Sequence, residues 1–288
     1  MQLSIRNLSK TYSNGTQALK QVSLEIPAGM FGLLGPNGAG KSTLMRTLAT
    51  LQEADGGEVF LDDLDMLRDK DGTRRILGYL PQSFGVYPRV SAEDLLDHFA
   101  ALKGVHNKAE RRELVAALLH QTNLWQFRKK PVGKYSGGMK QRFGIAQALI
   151  GSPKLIIVDE PTAGLDPTER HRFHNLLSEL GENTIVILST HIVEDVSDLC
   201  ERMALINQGE VILSGSPLEL IAEAEGRIWE ASIEKSELEA HQADHTLISS
   251  RHFGGRLLVR AYGDTQPAAH FRPVTPSLED VYFYTIRS

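Results

Sequence analysis

The sequence predicts an α/β fold in which the buried strands of a parallel sheet end at one edge that carries polar side chains. Residues 155–158 form an uninterrupted apolar run, typical of a strand covered on both faces, and residues 184–189 form a second buried strand. Residues 31–34 are a shorter apolar run, followed after a loop by a helical pattern. Ligands of open parallel sheets bind beyond the carboxyl ends of the strands, so we expect the functional residues there.

The composition indicates a folded chain without a strong charge bias. Its 288 residues allow one large domain or one domain with a smaller appendage, and 41% apolar residues supply a substantial core. The 31 basic and 36 acidic residues give a net charge of -5, and the densest basic clusters, at 111–112 and 128–130, are short. Nucleic-acid binding needs many phosphate contacts from a basic face, so we expect no nucleic-acid partner and interpret these clusters as solvated surface.

The sequence carries few signals of location. Cys200 is the single cysteine, which excludes an intrachain disulfide and suits the cytosol. Residues 1–10 lack the basic start and apolar run of a secretory signal, and no stretch approaches 18 uninterrupted apolar residues. We therefore expect a chain that neither crosses a membrane nor is exported by that route, and that reaches a membrane only through a partner.

A glycine-rich loop separates the strand at 31–34 from the following helix. Its glycines free the backbone to turn amide N–H groups around an anion. Lys41 adds a cation for the terminal phosphates, and Ser42 places a hydroxyl on Mg²⁺. The order strand, loop, helix argues against a chance match to the phosphate-binding loop pattern. The sequence therefore predicts nucleoside triphosphate binding. The loop residues are Gly35, Pro36, Asn37, Gly38, Ala39, Gly40, Lys41, Ser42 and Thr43.

Two adjacent carboxylates follow the apolar run at 155–158. Acids at a buried sheet edge are costly unless they hold a metal or move a proton. Asp159 is suited to the Mg²⁺ shell, and Glu160 is suited to orienting and deprotonating water. An acidic turn that caps the next helix is the alternative, and the phosphate loop upstream favours the chemical interpretation.

Four other polar positions are ambiguous when taken singly. Tyr12 follows the first predicted strand and is suited either to stack on a base or to pack in a turn. Gln82 and His191 each follow a strand end, where a lone Gln or His is usually structural. Ser136 is a predicted helix N-cap followed by two glycines, which is a weak indication of a second anion site.

The pattern of residues 91–150 is helical throughout and predicts a helical subdomain, at about 88–152, inserted between strands of the sheet. Trp125 and Phe127 are predicted to belong to its core. The chain beyond residue 216 has helical and strand-like pieces without a chemical motif of its own.

Taken together and in order, these residues resemble the nucleotide-binding subunit of an ATP-binding cassette transporter over about residues 3–217. The joint pattern outweighs the structural interpretations of Tyr12, Gln82 and His191. The matching elements are Tyr12 as the adenine-stacking aromatic, residues 35–42 as Walker A, Gln82 as the Q-loop glutamine, residues 136–139 as the signature motif, residues 155–159 as Walker B with Glu160 as catalytic base, residues 164–166 as the D-loop, and His191 as the switch histidine.

The resemblance implies a P-loop NTPase fold with a RecA-like parallel-sheet core, an antiparallel β subdomain and the inserted helical subdomain. The ATPase domain would cover 1–217, and a small α+β accessory domain 218–288. It implies an ATPase that uses ATP and Mg²⁺. The implied site residues are Glu160, His191, Gln82 and Lys41 for catalysis, Ser42, Gln82 and Asp159 for Mg²⁺, and, for ATP, Tyr12, the nine loop residues, Ser136, Gly137 and Gly138.

The resemblance also implies partners. Two copies, or a pair of cassette subunits, would bind head to tail, with each Walker A loop facing the signature helix of the other and ATP between them. The dimer would power a separate transmembrane permease, contacted through the helical subdomain near Gln82, at the cytoplasmic face of the plasma (inner) membrane. Residues 276–282 resemble the ending of cassette subunits in bacterial exporters for drugs, antibiotics and sodium, which favours export.

One motif departs from the family pattern. The signature usually reads Leu-Ser-Gly-Gly-Gln, whereas residues 135–139 have Tyr at the start and Met139 at the end. A thioether accepts hydrogen bonds poorly, so the contact of the usual Gln is not carried over.

Two other functions fit parts of the sequence. A soluble cassette ATPase acting on ribosomes or DNA is disfavoured by the single cassette, the lack of sustained heptads and the single cysteine. A regulatory module that senses ATP without consuming it is disfavoured by the intact Glu160.

Overall fold

The computed structural model describes residues 1–83, 85, 88–180 and 184–287, which form two compact units, Met1–Val211 and Ile212–Ser288. The strands are β1 (Gln2–Thr11), β2 (Gln17–Pro27), β3 (Gly29–Leu34), β4 (Gly56–Leu61), β5 (Leu64–Asp65), β6 (Leu77–Leu80), β7 (Leu155–Asp159), β8 (Ile185–Thr190), β9 (Arg202–Asn207), β10 (Glu210–Gly215), β11 (Ile228–Ile233), β12 (Leu247–Phe253), β13 (Arg256–Tyr262) and β14 (Arg272–Pro273). The helices are α1 (Lys41–Leu48), α2 (Lys70–Ile76), α3 (Ala92–Leu102), α4 (Lys108–Gln121), α5 (Gly137–Ala148), α6 (Pro167–Ser178), α7 (Val193–Leu199), α8 (Pro217–Glu223), α9 (Leu238–Asp244) and α10 (Leu278–Arg287).

A six-stranded sheet, in the order β10-β9-β3-β8-β7-β6, forms the centre of the first unit. The neighbours from β9 to β6 pair in parallel, and every residue of β7 and β8 is buried, as the apolar runs predict. Parallel pairing brings the carboxyl ends of these strands to one edge, where Asp159 is in register with Ser189, and Leu34 with Thr190. The loops that follow β3, β6, β7 and β8 therefore meet.

A four-stranded antiparallel sheet, β2-β1-β4-β5, packs on the same core. Its buried side chains, such as Leu3 and Val59, share one apolar cluster with Leu44 of α1 and with Ile157 of the central sheet. β1 and β2 form a long hairpin of two antiparallel strands, with 10 and 11 residues. α2 and α7 are short helices that the sequence analysis did not predict.

The helical subdomain has a separate core made by α3, α4 and α5. Side chains of Ser91, Asn107 and Ser136 cap the three helices by accepting backbone N–H groups of the first turn. Trp125 packs against this core. The prediction for Phe127 is wrong: its side chain is 43% exposed, and its contribution is a backbone carbonyl that accepts the Tyr135 hydroxyl at 2.9 Å.

The second unit is an antiparallel sheet, in the order β12-β13-β11-β14, with α8, α9 and α10. Its apolar cluster contains Val259 and Phe271, and the partly buried Trp229 packs against it. The buried Glu230 is paired with Arg260 and Arg272. Across the described ranges, no helix combines the length and apolar character that a bilayer crossing requires.

Candidate functional site

A polar cavity of about 680 Å³ opens at the carboxyl edge of the central sheet. The predicted glycine-rich loop forms its floor, and the ends of three strands contribute to its wall. Its lining residues are Tyr12, Thr16, Gln17, Ala18, Lys20, Asn37, Gly38, Ala39, Gly40, Lys41, Ser42, Thr43, Gln82, Glu160, Gln208 and Gly209. The structure thus brings together most of the residues that the sequence analysis assigned to nucleotide binding.

The loop conformation requires glycine at two positions. Gly38 has φ 81° and Gly40 has φ 110°, in the left-handed region where other residues are strained. A Cβ atom on Gly40 would lie 2.5 Å from the carbonyl oxygen of Ala18 in β2, which leaves no space for a side chain. Gly40 precedes α1, so the loop ends at the N-terminus of a helix, where free amide groups favour an anion.

Lys41 lies beneath the loop and is only 4% exposed. Its Nζ donates to the carbonyl oxygens of Gly35 at 2.7 Å and Pro36 at 3.1 Å, and lies 3.7 Å from Oε1 of Glu160. Burial lowers the pKa of Lys41, while the charges of Glu160 and Asp159 oppose that shift. The side chain is therefore held in place on the floor of the cavity.

The Asp159 carboxylate is 3% exposed and accepts the Ser189 hydroxyl at 2.8 Å. Burial raises its pKa, with a smaller contribution from the charge of Glu160, against the opposing effects of Ser189, Ser42 and Lys41. It lies on the wall of a neighbouring cavity of about 430 Å³ that Gln82 also lines. The Ser42 hydroxyl, this carboxylate and the Gln82 amide supply the oxygen donors that Mg²⁺ prefers, so the residues fit the predicted metal.

Glu160 is the meeting point of three other predicted residues. Oε2 accepts from Nε2 of Gln82 at 3.0 Å, and Oε1 lies 3.3 Å from Nδ1 of His191 and 3.7 Å from Nζ of Lys41. The Glu160 side chain is nearly buried, at 8% exposure, whereas His191 and Gln82 are exposed. A carboxylate surrounded by donors beside an anion-binding loop is suited to accept a proton from water at that loop.

Tyr12 lies at the rim of the cavity with 36% of its surface exposed. Its hydroxyl is 3.0 Å from Oγ1 of Thr43 and donates to Gln52 at 3.2 Å. These bonds fix the ring next to the loop and leave part of it open for stacking.

The signature residues lie elsewhere on the first unit. Ser136 caps α5 by accepting the N–H of Met139 at 3.2 Å, and Gly138 packs against the side chain of Glu169. Ser136, Gly137 and Gly138 are not among the described residues that line the polar cavity. The predicted ATP-binding residues are therefore split between two places on one chain.

Two lining elements were missed from the sequence. Lys20 of β2 and the turn at Gln208 and Gly209 both reach the cavity. The Gly209 N–H donates to Ala39 at 2.9 Å, and its carbonyl accepts the N–H of Lys20 at 2.8 Å, so the turn ties the loop to β2. The Gln-Gly pair signals a turn, but its place against the loop depends on tertiary contacts.

The comparisons with known proteins agree with this geometry. Residues 19–163 match the family described as ABC transporter. A Bacillus subtilis protein, named the uncharacterized ABC transporter ATP-binding protein YxlF, is 33% identical over 99% of this chain and 100% of its own length. The chain belongs to the ATP-binding cassette (ABC) transporter family. It is an ATP-binding subunit of that family.

Other ABC proteins show the same relationship. The Escherichia coli protein named probable multidrug ABC transporter ATP-binding protein YbhF is 32% identical over 92% of this chain, which covers 48% of that relative. A solved dimer of the ATP-binding cassette MJ0796, bound to ADP and Pi, superposes with a TM-score of 0.68 and 30% identity, over 74% of this chain and 98% of that one. These ABC neighbours confirm the predicted P-loop NTPase fold.

Proposed function

We propose that the chain is the ATP-hydrolysing subunit of an ABC transporter, and that it powers a separate membrane permease in export from the cytoplasmic face of the plasma (inner) membrane. The observation that carries the proposal is the convergence of Lys41, Gln82 and His191 on the Glu160 carboxylate beside the glycine-rich loop. A module that only sensed ATP would have no use for such a base.

In the proposed reaction Glu160 orients a water molecule and takes its proton as the water attacks the terminal phosphate. Lys41 and His191 stabilise the negative charge that develops on the phosphoryl oxygens, and the amide N–H groups of the loop bind the other phosphates. Ser42, Asp159 and Gln82 would hold Mg²⁺, which supplies further charge neutralisation when bound.

Two copies are needed for a complete site. The signature residues 136–138 lie outside the cavity that the loop lines, yet the cap of α5 presents backbone donors suited to an anion. The related cassette MJ0796 was solved as a dimer bound to ADP and Pi. We infer a head-to-tail dimer in which each loop faces the α5 N-terminus of the partner, with ATP between them.

An apolar cavity of about 510 Å³ is the surface we assign to the permease. It is lined by Phe99 and Leu102 of the helical subdomain and by Leu51 and Leu77 outside that subdomain. Leu51 and Leu102 are 64% and 72% exposed, which is typical of a contact surface for another protein. The same region continues to Gln82, so this surface is adjacent to the catalytic residues.

Export is favoured by two features. Residues 276–282 resemble the ending of exporter cassette subunits, and YbhF is named a probable multidrug transporter protein. We assign the ATPase domain to 1–217 and an accessory domain to 218–288.

Phosphate release from purified chain tests the enzymatic proposal. Wild type should release phosphate from ATP, and Glu160→Gln should reduce turnover by about 10² to 10⁴ while ATP binding persists. Glu179→Gln, at an exposed acid after α6, is the matched control and should keep wild-type turnover. Equal turnover in Glu160→Gln and wild type would remove Glu160 from the reaction.

A further inference from the structure

Glu160 has a strained backbone. Its φ is 48°, in the left-handed region, which is strained for a non-glycine residue and persists only where the surroundings enforce it. One constraint is the N–H of Glu160, which donates to the carbonyl of Ser189 at 2.8 Å. This one hydrogen bond holds only the amino end of Glu160. The residues that follow Glu160 must therefore be held in place by other contacts.

A fully buried carboxylate on α7 provides that second constraint. Oδ2 of Asp195 accepts the hydroxyl of Thr162 at 2.5 Å and that of Thr190 at 3.3 Å. Thr162 is two residues after Glu160, and Thr190 immediately precedes His191. One carboxylate oxygen therefore joins the two segments that carry the predicted base and the switch histidine.

The other oxygen of Asp195 is fixed to α6. Oδ1 accepts from Nε of Arg170 at 2.8 Å and lies 2.8 Å from Nε2 of His174. Nη2 of Arg170 is also 2.8 Å away and forms an ion pair with the carboxylate. Burial raises the pKa of Asp195, but the bonds from His174, Thr162 and Arg170 outweigh it and lower the pKa overall. Asp195 is thus bonded to four side chains, those of Thr162, Thr190, Arg170 and His174.

We propose that Asp195 is a positioning residue, which holds the segments of Glu160 and His191 through the hydroxyls of Thr162 and Thr190 and so maintains the 3.3 Å contact between them. The proposal rests on the ATPase activity proposed above. Asp195 does not line the polar cavity, so it acts on turnover through the backbone and leaves nucleotide binding to the glycine-rich loop.

Two substitutions of Thr162 in the full chain test the proposal. Thr162→Val removes the hydroxyl and keeps the shape, so kcat for ATP hydrolysis should fall about 10-fold with KM for ATP within about twofold of wild type. Thr162→Ser keeps the hydroxyl and should restore kcat to within about twofold. Thr122→Val is the control, because this buried threonine donates to the Leu118 carbonyl at 2.8 Å in the helical subdomain and should change stability without changing kcat.

The outcomes separate the two proposals. Wild-type kcat in Thr162→Val, or a loss in Thr162→Ser as large as in Thr162→Val, overturns the role of the hydroxyl bond while the ATPase proposal stands. A parallel rise in KM and fall in kcat shows a general structural defect and also overturns it. No hydrolysis by wild type overturns both proposals.

Discussion

Oε1 of Glu160 lies 3.3 Å from Nδ1 of His191, across the boundary between two neighbouring parallel strands. The carboxylate follows β7 and the imidazole follows β8, so strand register sets the separation of the two groups. His191 is otherwise exposed, and we expect it to contact a phosphate bound at the cavity. Substitution of His191 is therefore the most direct test of how negative charge is stabilised at the site.

His191→Ala should lower the turnover of ATP by about 100-fold with little change in nucleotide affinity, because the imidazole acts on charge that develops during the reaction. Phosphate release and equilibrium binding of a fluorescent ATP analogue measure the two effects. His171→Ala, at an exposed histidine of α6, should behave as wild type. A loss of affinity that accounted for the whole loss of rate would make His191 a binding residue only.

The glycine-rich loop gives a test of backbone conformation. Gly38→Ala should weaken ATP binding at least about 10-fold and destabilise the fold by about 1 kcal/mol, because φ is 81° although no atom lies within 4 Å of the added Cβ. Gly104→Ala is the matched control, because Gly104 in the helical subdomain has φ 93° and likewise no atom within 4 Å of an added Cβ. It should show the same loss of stability and normal binding. Equal affinities in the two variants would argue against a binding role for the loop.

The head-to-tail dimer predicts a crosslink between polypeptides. Cysteines at Asn37, which is exposed, and at Gly137, where a Cβ has space, should form an intermolecular disulfide only with ATP and Mg²⁺ in a Glu160→Gln background. Burial raises the pKa of Cys200, so the native thiol competes poorly. Non-reducing gels show the product, and the variant with cysteine at Asn37 alone is the control. Bound ATP and Mg²⁺ without any crosslinked dimer would contradict the arrangement.

The apolar cavity predicts where the permease binds. Leu102→Glu adds a charge to a side chain that is 72% exposed, so it should leave stability within about 0.5 kcal/mol while reducing recovery of the permease. Copurification from detergent with the membrane protein of a neighbouring reading frame measures the effect. Leu218→Glu, at 79% exposure in the second unit, should retain the partner. Full recovery with Leu102→Glu would move the contact to another surface.

The buried carboxyl group of Asp159 should lower the stability of the folded protein while it favours Mg²⁺ binding. Burial raises the pKa of its carboxyl above the ordinary 3.8, so the folded state loses stability as the pH rises from that value through the folded pKa. Asp159→Asn removes this loss and should stabilise the protein at pH 7 by about 0.5–2 kcal/mol without Mg²⁺, with a smaller gain near pH 4. Its affinity for Mg²⁺ and ATP should fall. Thermal unfolding of the variant and wild type at both pH values measures these differences in stability. A less stable Asp159→Asn variant at pH 7 would contradict the prediction.

Local pattern was sufficient to predict the parts of the fold that follow from periodicity. The runs at 155–158 and 184–189 correspond to buried strands, and Ser136 is an N-cap. α2 and α7 were missed because each has seven residues, too few for a periodic signal to emerge. Phe127 was misplaced because an aromatic side chain indicates burial only statistically.

The candidate site was also predicted only in part from the sequence. Motif spacing identified Lys41, Asp159 and Glu160, which meet as the parallel strands require. Asp195 stood in a sequence of acidic and polar residues typical of a helix surface, and only tertiary packing makes it the most buried acid of its helix. The strained φ of Glu160 has no sequence signature either, because it comes from the surrounding bonds.

The two carbonyl bonds of Lys41 have a consequence for what the cavity accepts. The Lys41 ammonium group is buried and donates to two neutral carbonyl oxygens of its own loop. An incoming molecule improves on those oxygens only if it carries formal negative charge, since a sugar hydroxyl offers no more than a carbonyl does. The loop therefore selects ligands by their negative charge more than by their shape. An uncharged nucleoside gains little binding free energy from the loop, whatever its base.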